Sequence, residues 1–322
     1  MKNNIVFIIA ILVLLVIGVA GYFLTQTSTT TDYDAPDPAE PSDVTETPDT
    51  TDTPDTTDPA EPEPAEPAPD ASSERGSEST LGTAAGGREL TAYHFGTGPT
   101  ELLFVGGLHG AYSYNTSLVA FEIIDYLEEN PDAVPENVTV TVLPVANPDG
   151  LADLAGTAGR FSPSSLPAAA TDRVDGRFNA NGVDLNRNFD CEWQSEGTWQ
   201  TRTVDGGDAP FSEPEAAAIR DYVLDTEPTA VVAYYSAAGG VYSSSCRNGI
   251  LPDTAALTNA YADAAGYPAY EEFDFYEITG DMVNWLAKND IPGISVLLSD
   301  HENPEWSKNR AGVEAVLEYY AQ

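Results

Sequence analysis

"ELLFVGGLHGAYSYNTSLVAFEIIDYLEEN", residues 101–130, decides the fold class. Its first seven residues read as a buried strand that runs into a glycine turn. Residues 117–130 then place apolar side chains at helical spacing, and residues 137–147, "NVTVTVLPVAN", alternate as a strand does. The same alternation continues downstream. "TAVVAYYSA" (229–237) and "GISVLLS" (293–299) read as strands, and residues 281–289 and 305–320 as helices. Ser212 and Glu215 form an S-x-x-E capping-box pattern ahead of the helical "AAAIRDYVL". Strands alternating with amphipathic helices predict an α/β fold, with a mixed, mostly parallel sheet sandwiched between helices. In such sheets, sites form at the carboxyl ends of the strands.

The N-terminal part differs in kind. Residues 5–24 are an almost unbroken apolar run with Lys2 before it and acidic residues after it. About 20 residues of helix cross a bilayer core, and the charge flanks put the N-terminus in the cytoplasm and the remainder outside. A cleaved signal peptide is the alternative, against which stand the length of the run and the lack of a clear A-x-A site. Residues 26–88 are dominated by Thr, Pro, Asp, Glu and Ala, as in "TPDTTDTPDTTDPAEPEPAEPAPD" (47–70). Such a stretch has too few apolar groups to offset its ordering entropy. The expected organisation is an anchor over 1–25, a disordered acidic stalk over 26–88 and a folded domain over 89–322. The expected location is the cell membrane, with the C-terminal domain extracellular.

The formal net charge is −39, from 52 Asp and Glu against 13 Lys and Arg. A surface of that sign disfavours nucleic acid and anionic lipid headgroups as partners. The two cysteines, Cys191 and Cys246, make one disulfide the expectation for an extracellular domain, with two buried thiols as the alternative.

Five segments carry a family resemblance: "GGLHGAYS" (106–113), "ANPDG" (146–150), "RFNANGVDLNRNF" (177–189), "FSEPEAAAI" (211–219) and "PGISVLLSDHENPEW" (292–306). In this order they resemble the zinc metallocarboxypeptidases. The "R-x-N-x-x-G-V-D-L-N-R" pattern is similar to the branch that acts on bacterial cell-wall peptides. Members of the family hold one zinc ion with a His and a Glu from an H-x-x-E turn and a second His at a later strand end. A separate Glu near the last strand takes a proton from the zinc-bound water. That chemistry needs three protein ligands, an open water position and a nearby carboxylate.

On that resemblance, His109 stands at the first ligand position, but Tyr112 replaces the glutamate, Tyr235 the second histidine and Leu297 the general base. No Glu lies within two residues of Tyr112. His94 precedes the first motif strand, while His301, Glu302 and Glu305 follow the last, so none fills the gaps. One imidazole does not hold zinc at useful affinity, neutral phenol is a poor ligand with a reference pKa of about 10, and leucine moves no proton. The expectation is no bound zinc, no other cofactor and no peptidase activity, with Tyr112, Tyr235 and Leu297 packing the vacated volume. Other family positions persist. Asn186 and Arg187 match the pair that grips a substrate's terminal carboxylate, Arg177 the arginine that stabilises an oxyanion, Tyr276 the tyrosine that closes over bound peptide, and Asp184 the acceptor behind the first histidine. The implied function is a non-catalytic surface protein that keeps a site for peptide or cell-wall stem-peptide carboxylates. Two alternatives remain: a working zinc peptidase with other ligands, and a ligand-free surface spacer or adhesion protein.

Overall fold

The structure is a computed structural model that describes residues 77–321. The expected anchor over 1–25 and most of the expected stalk lie outside the described residues. No helix among the described residues is long and apolar enough to cross a membrane.

Ten strands and six α-helices follow one another in the described residues. They are β1 (Glu78–Thr83), β2 (Glu89–Gly96), β3 (Thr100–Val105), α1 (Tyr114–Glu129), β4 (Val138–Leu143), α2 (Pro148–Ala155), β5 (Glu196–Trp199), β6 (Arg202–Asp205), α3 (Pro214–Thr226), β7 (Ala230–Ser236), β8 (Gly240–Ser243), α4 (Pro252–Ala265), β9 (Ala269–Tyr270), α5 (Met282–Lys288), β10 (Gly293–Leu298) and α6 (Trp306–Tyr320). Eight strands form one sheet in the order β1-β2-β4-β3-β7-β10-β8-β9, and β5 and β6 form a separate hairpin. The pairs β3–β4, β3–β7, β7–β10 and β8–β9 are parallel, and β1–β2, β2–β4 and β8–β10 antiparallel. This is the mostly parallel, mixed sheet that the strand–helix alternation predicts.

The two-residue period of a strand splits the core. Phe104, Val140, Val232 and Ile294 face a layer built from Ile123 and Ile124 of α1, Tyr261 of α4 and Val313 of α6. Their neighbours Leu103, Val231, Tyr235 and Leu297 face Ile219 of α3 and Trp285 of α5. Helices thus cover both faces, as buried strands of this kind require.

Two expectations change. The stalk boundary at residue 88 is too late, because β1 pairs antiparallel with β2 and so belongs to the sheet. The next turn is also tied down: the Ala85 and Gly86 amides donate to Glu215 and Asp149, and Arg88 Nη1 lies 2.6 Å from Asp149 Oδ1. The polar composition of residues 77–88 hid a strand whose partner is the adjacent β2. The capping box over Ser212 and Glu215 does not form either. Glu213 is the N-cap and Pro214 occupies the first turn, while Ser212 Oγ donates to Glu213 Oε1 at 3.0 Å. Glu215 is fully buried and accepts instead from Ala85 and Asn179.

Candidate functional site

The site assembles at the carboxyl ends of the central parallel strands. After β3 the chain turns through Gly107, whose φ of +67° favours glycine. It presents His109, then a 3-10 turn over Gly110–Ser113 that carries Tyr112. Tyr235 lies near the end of β7 and Leu297 near the end of β10, directly opposite one another in the parallel register. Asp184 caps the short turn Leu185–Arg187 and accepts from the Asn186 amide at 3.1 Å. The structure brings His109, Tyr112, Arg177, Asp184, Asn186, Arg187, Tyr235, Leu297 and Tyr276 to these strand ends.

His109 is buried, and neither ring nitrogen has a hydrogen-bond partner among the described residues. Its Nε2 lies 3.6 Å from Asp184 Oδ1, too long for a hydrogen bond. Burial, reinforced by the nearby Arg177 charge, lowers its pKa to about 4. Burial alone would raise the Asp184 carboxyl, but Arg177 and His109 outweigh it and hold the group below the usual carboxylate range. Arg177 is spent on this carboxylate, with Nε at 2.8 Å and Nη2 at 2.7 Å from Oδ2.

Tyr235 and Tyr112, which the resemblance sets at ligand positions, pack against their neighbours. The Tyr235 ring lies 5.6 Å from that of His109, and its hydroxyl donates to Asn186 Oδ1 at 3.1 Å. Burial, then the Asp281 charge, pushes that phenol well above its ordinary pKa. Burial also raises Tyr112, whose ring meets Trp199 edge-on at 5.0 Å. The residues present do not fit a zinc ion. They offer the imidazole of His109, two phenols held neutral, an isobutyl group and, beside Tyr112, the imidazole of His301, and no group of three or more His, Cys, Asp or Glu suited to a metal occurs among the described residues.

The β5–β6 hairpin closes over the arginines. Arg187 is almost wholly buried and directs Nε and Nη2 at the Thr198 carbonyl, at 3.2 and 2.7 Å, and Nη1 at the Asn186 carbonyl. A Cβ at Gly197 would meet Arg187 Cδ at 2.6 Å, so glycine is what lets the hairpin approach. Trp199 lies with its ring centroid 4.4 Å from the Arg177 guanidinium carbon. The fork expected to grip a ligand carboxylate is therefore directed at the chain's own backbone. Tyr276 packs, half-buried, beside Tyr112 and Trp199.

Sequence reasoning missed Trp199 and gave His301 no place at the site. Although it follows the last strand, His301 returns to the site. Its ring stands 4.5 Å from Tyr112, and its Nδ1 is 3.1 Å from Ser236 Oγ, next to Tyr235 in the chain. Asn115 donates to the Asp300 and Asn303 carbonyls and accepts from Ser236, which ties this loop to α1. Glu302 reaches Arg173 at 3.2 Å, and Glu305 accepts from Ser299, Tyr267 and Lys308. His94 lies elsewhere, between Ser79 and Thr141. The expected disulfide is present: Cys191 and Cys246 are bonded, with their Cα atoms 6.1 Å apart.

With this geometry in view, the family follows. Residues 70–303 match the zinc carboxypeptidase family, which is most of the chain, and the chain belongs to that family. It is 26% identical over 159 residues to carboxypeptidase B of Astacus astacus, covering 47% of this chain and 50% of that protein. It is 25% identical over 177 residues to gamma-D-glutamyl-L-diamino acid endopeptidase 1 of Lysinibacillus sphaericus, covering 52% of this chain and 43% of that one. The chain thus spans about half the length of these curated relatives. Among solved structures, bovine thrombin-activatable fibrinolysis inhibitor shares the fold at a TM-score of 0.59 and 15% identity, over 75% of this chain and 89% of that one. Carboxypeptidase A of Helicoverpa armigera does so at 0.57 and 18%, over 76% and 66%.

Proposed function

We propose that this chain is a non-hydrolytic member of the zinc carboxypeptidase family, displayed on the cell surface by its N-terminal segment. The observation that carries this reading is that the buried His109 imidazole has the Tyr235 ring 5.6 Å away, with Leu297 opposite Tyr235 and Tyr112 on the turn that follows His109. A zinc-dependent hydrolase needs three ligands and an open position for water. It also needs a base whose pKa lies near the working pH. Phenols raised by burial and a leucine supply neither. The ligand class that the family position suggests is a peptide or cell-wall stem-peptide carboxylate, and Asn186, Arg187, Arg177 and Tyr276 would form its site.

A second reading, a surface domain without a small ligand at this site, is favoured by one observation. The Thr198 carbonyl already takes two of the Arg187 donors, and Asp184 takes those of Arg177. Carboxylate binding in the first reading therefore requires the β5–β6 hairpin to withdraw. Titrating a dipeptide with a free C-terminal carboxylate by calorimetry separates the two. Saturable heat lost on amidating that carboxylate supports a retained site; its absence supports the spacer. Zinc analysis with a carboxypeptidase assay on the same sample tests the non-hydrolytic reading itself.

A further inference from the structure

The segment from β9 to α5 presents a surface of which the candidate site uses only Tyr276. Residues 269–277 read "AYEEFDFYE", aromatic rings interleaved with carboxylates. Phe275 is 64% and Tyr270 44% exposed, two of only four large apolar side chains so exposed among the described residues. The rings form a continuous row. Tyr270 stacks on Tyr242 at 4.8 Å and 21°, Tyr242 meets Phe273 at 5.6 Å, and Phe273 meets Phe275 at 5.1 Å and Tyr276 at 5.0 Å. The row starts at β9, the outermost strand of the sheet, and ends at Tyr276 beside Trp199.

The charges along this row have no resident counterpart. Glu271, Glu272, Asp274 and Glu277 are exposed, and none is paired with a Lys or Arg among the described residues. Asp274 lies close enough to the row to add, after burial and Tyr270, to the rise of the Tyr242 phenol to about 12. Elsewhere the molecule supplies its aromatic rings with its own cations. Arg160 lies over Phe121, Arg220 over Phe211, Lys308 over Tyr267 and Arg310 over Tyr126. The row at 270–276 has no such cation among the described residues. An aromatic face flanked by unneutralised carboxylates attracts ammonium and guanidinium groups. Residues 3–74 supply no cationic segment to it, because they contain no Lys or Arg.

We propose that the Tyr270–Phe275 row is a docking surface for a lysine- or arginine-bearing extended segment of another protein. The cations lie over the exposed rings between the carboxylates, and the apolar stems of the partner's side chains cover Phe275. The surface is independent of the metal question, since it requires neither His109 nor the arginines.

The test uses the whole extracellular part and a synthetic octapeptide of alternating lysine and glycine, titrated by calorimetry at low and high salt. Binding is expected to saturate at one site and to weaken with salt. The Tyr270→Ala, Phe275→Ala double variant, which leaves every charge in place, is expected to weaken it about five- to tenfold. Leu224→Ala, another exposed apolar site, is expected to change nothing. Equal binding by wild type and the double variant would overturn the proposal, leaving only general attraction to an acidic protein. So would a neutral oligosaccharide that binds the same row and is lost in the same variant. Circular dichroism of the double variant checks that the fold is kept.

Discussion

Arg187 and Thr198 form a closed clasp: two guanidinium donors of the first, Nε and Nη2, meet the backbone carbonyl of the second at 3.2 and 2.7 Å. An arginine directed this way is held by its own chain, and the hairpin that supplies the carbonyl also lays Trp199 over Arg177. Replacing residues 196–205 with a short Gly/Ser linker removes both covers. The linker variant is expected to bind the C-terminal dipeptide more tightly than wild type by tenfold or more, on the order of 1.4 kcal/mol, read by the same calorimetric titration. Equal affinities would show that the clasp does not stand in the ligand's way.

The hairpin also stabilises what it covers. Trp199 is buried among Tyr112, Phe178 and the Arg177 guanidinium. Trp199→Ala is expected to cost about 3–5 kcal/mol of stability, measured by urea unfolding. A loss under about 1 kcal/mol would mean that the ring rests on the site without being packed into it.

Stability should fall with acid in a defined window. His109 has a folded pKa of about 4 against an ordinary 6.5. Above pH 6.5 the ring is neutral in both states and its contribution is intact. As the pH falls from there toward 4, only the unfolded chain takes the proton, so stability declines, by about 3 kcal/mol at most. Asp184, also lowered, contributes stability that is present above the ordinary carboxylate pKa and lost as the pH falls below it, so the decline continues. His109→Gln should flatten the first part of the curve. A His109 NMR resonance that titrates near pH 6.5 in the folded protein would contradict the burial argument.

The N-terminal boundary and the disulfide make two further checks. A chain that starts at Glu89 lacks β1, the Gly86 and Arg88 partners of buried Asp149, and the Ala85 partner of buried Glu215, which keeps Asn179. It should be less stable than one starting at Ser77 by about 3 kcal/mol or more. Opening the bond between Cys191 and Cys246, 55 residues apart, should cost roughly 4 kcal/mol in the chain-entropy view. Both follow from denaturation midpoints, and indistinguishable midpoints would count against each.

Residues 101–147 show why the fold was legible. A strand, a glycine turn, a helix and a second strand each carry their own local period, and β3, α1 and β4 stand within a few residues of the predicted ranges. The site's strand-end positions were legible for the same reason, since Tyr235 and Leu297 lie on strands whose register the pattern fixes. What stayed hidden depends on contacts between distant segments. Ser77–Arg88 looks polar and stalk-like until its pairing with β2 is known, and α4 was missed because its apolar residues share a helix with many alanines and threonines. Trp199 and His301 reach the site from a hairpin and a loop, where side-chain direction has no period to read. The clasp on Arg187 was invisible for another reason: a backbone carbonyl is the same at every position in a sequence.

Repairing the site should proceed in order. Tyr112→Glu and Tyr235→His would give the pocket the His-Glu-His set that the family resemblance implies, and Asp184 stands beside His109 Nε2 to orient the ring. The double variant is expected to bind one zinc per chain and stay inert. Adding Leu297→Glu is expected to bring measurable hydrolysis. A double variant that remains free of zinc would mean that the packed aromatic pocket cannot reopen.

The most direct measurement is made on the unaltered protein: its zinc content after dialysis against zinc-containing buffer and then metal-free buffer, with a carboxypeptidase assay on the same sample. The account predicts no stoichiometric zinc and no release of C-terminal residues above background. One zinc per chain, together with hydrolysis that a chelator abolishes and zinc restores, would contradict it.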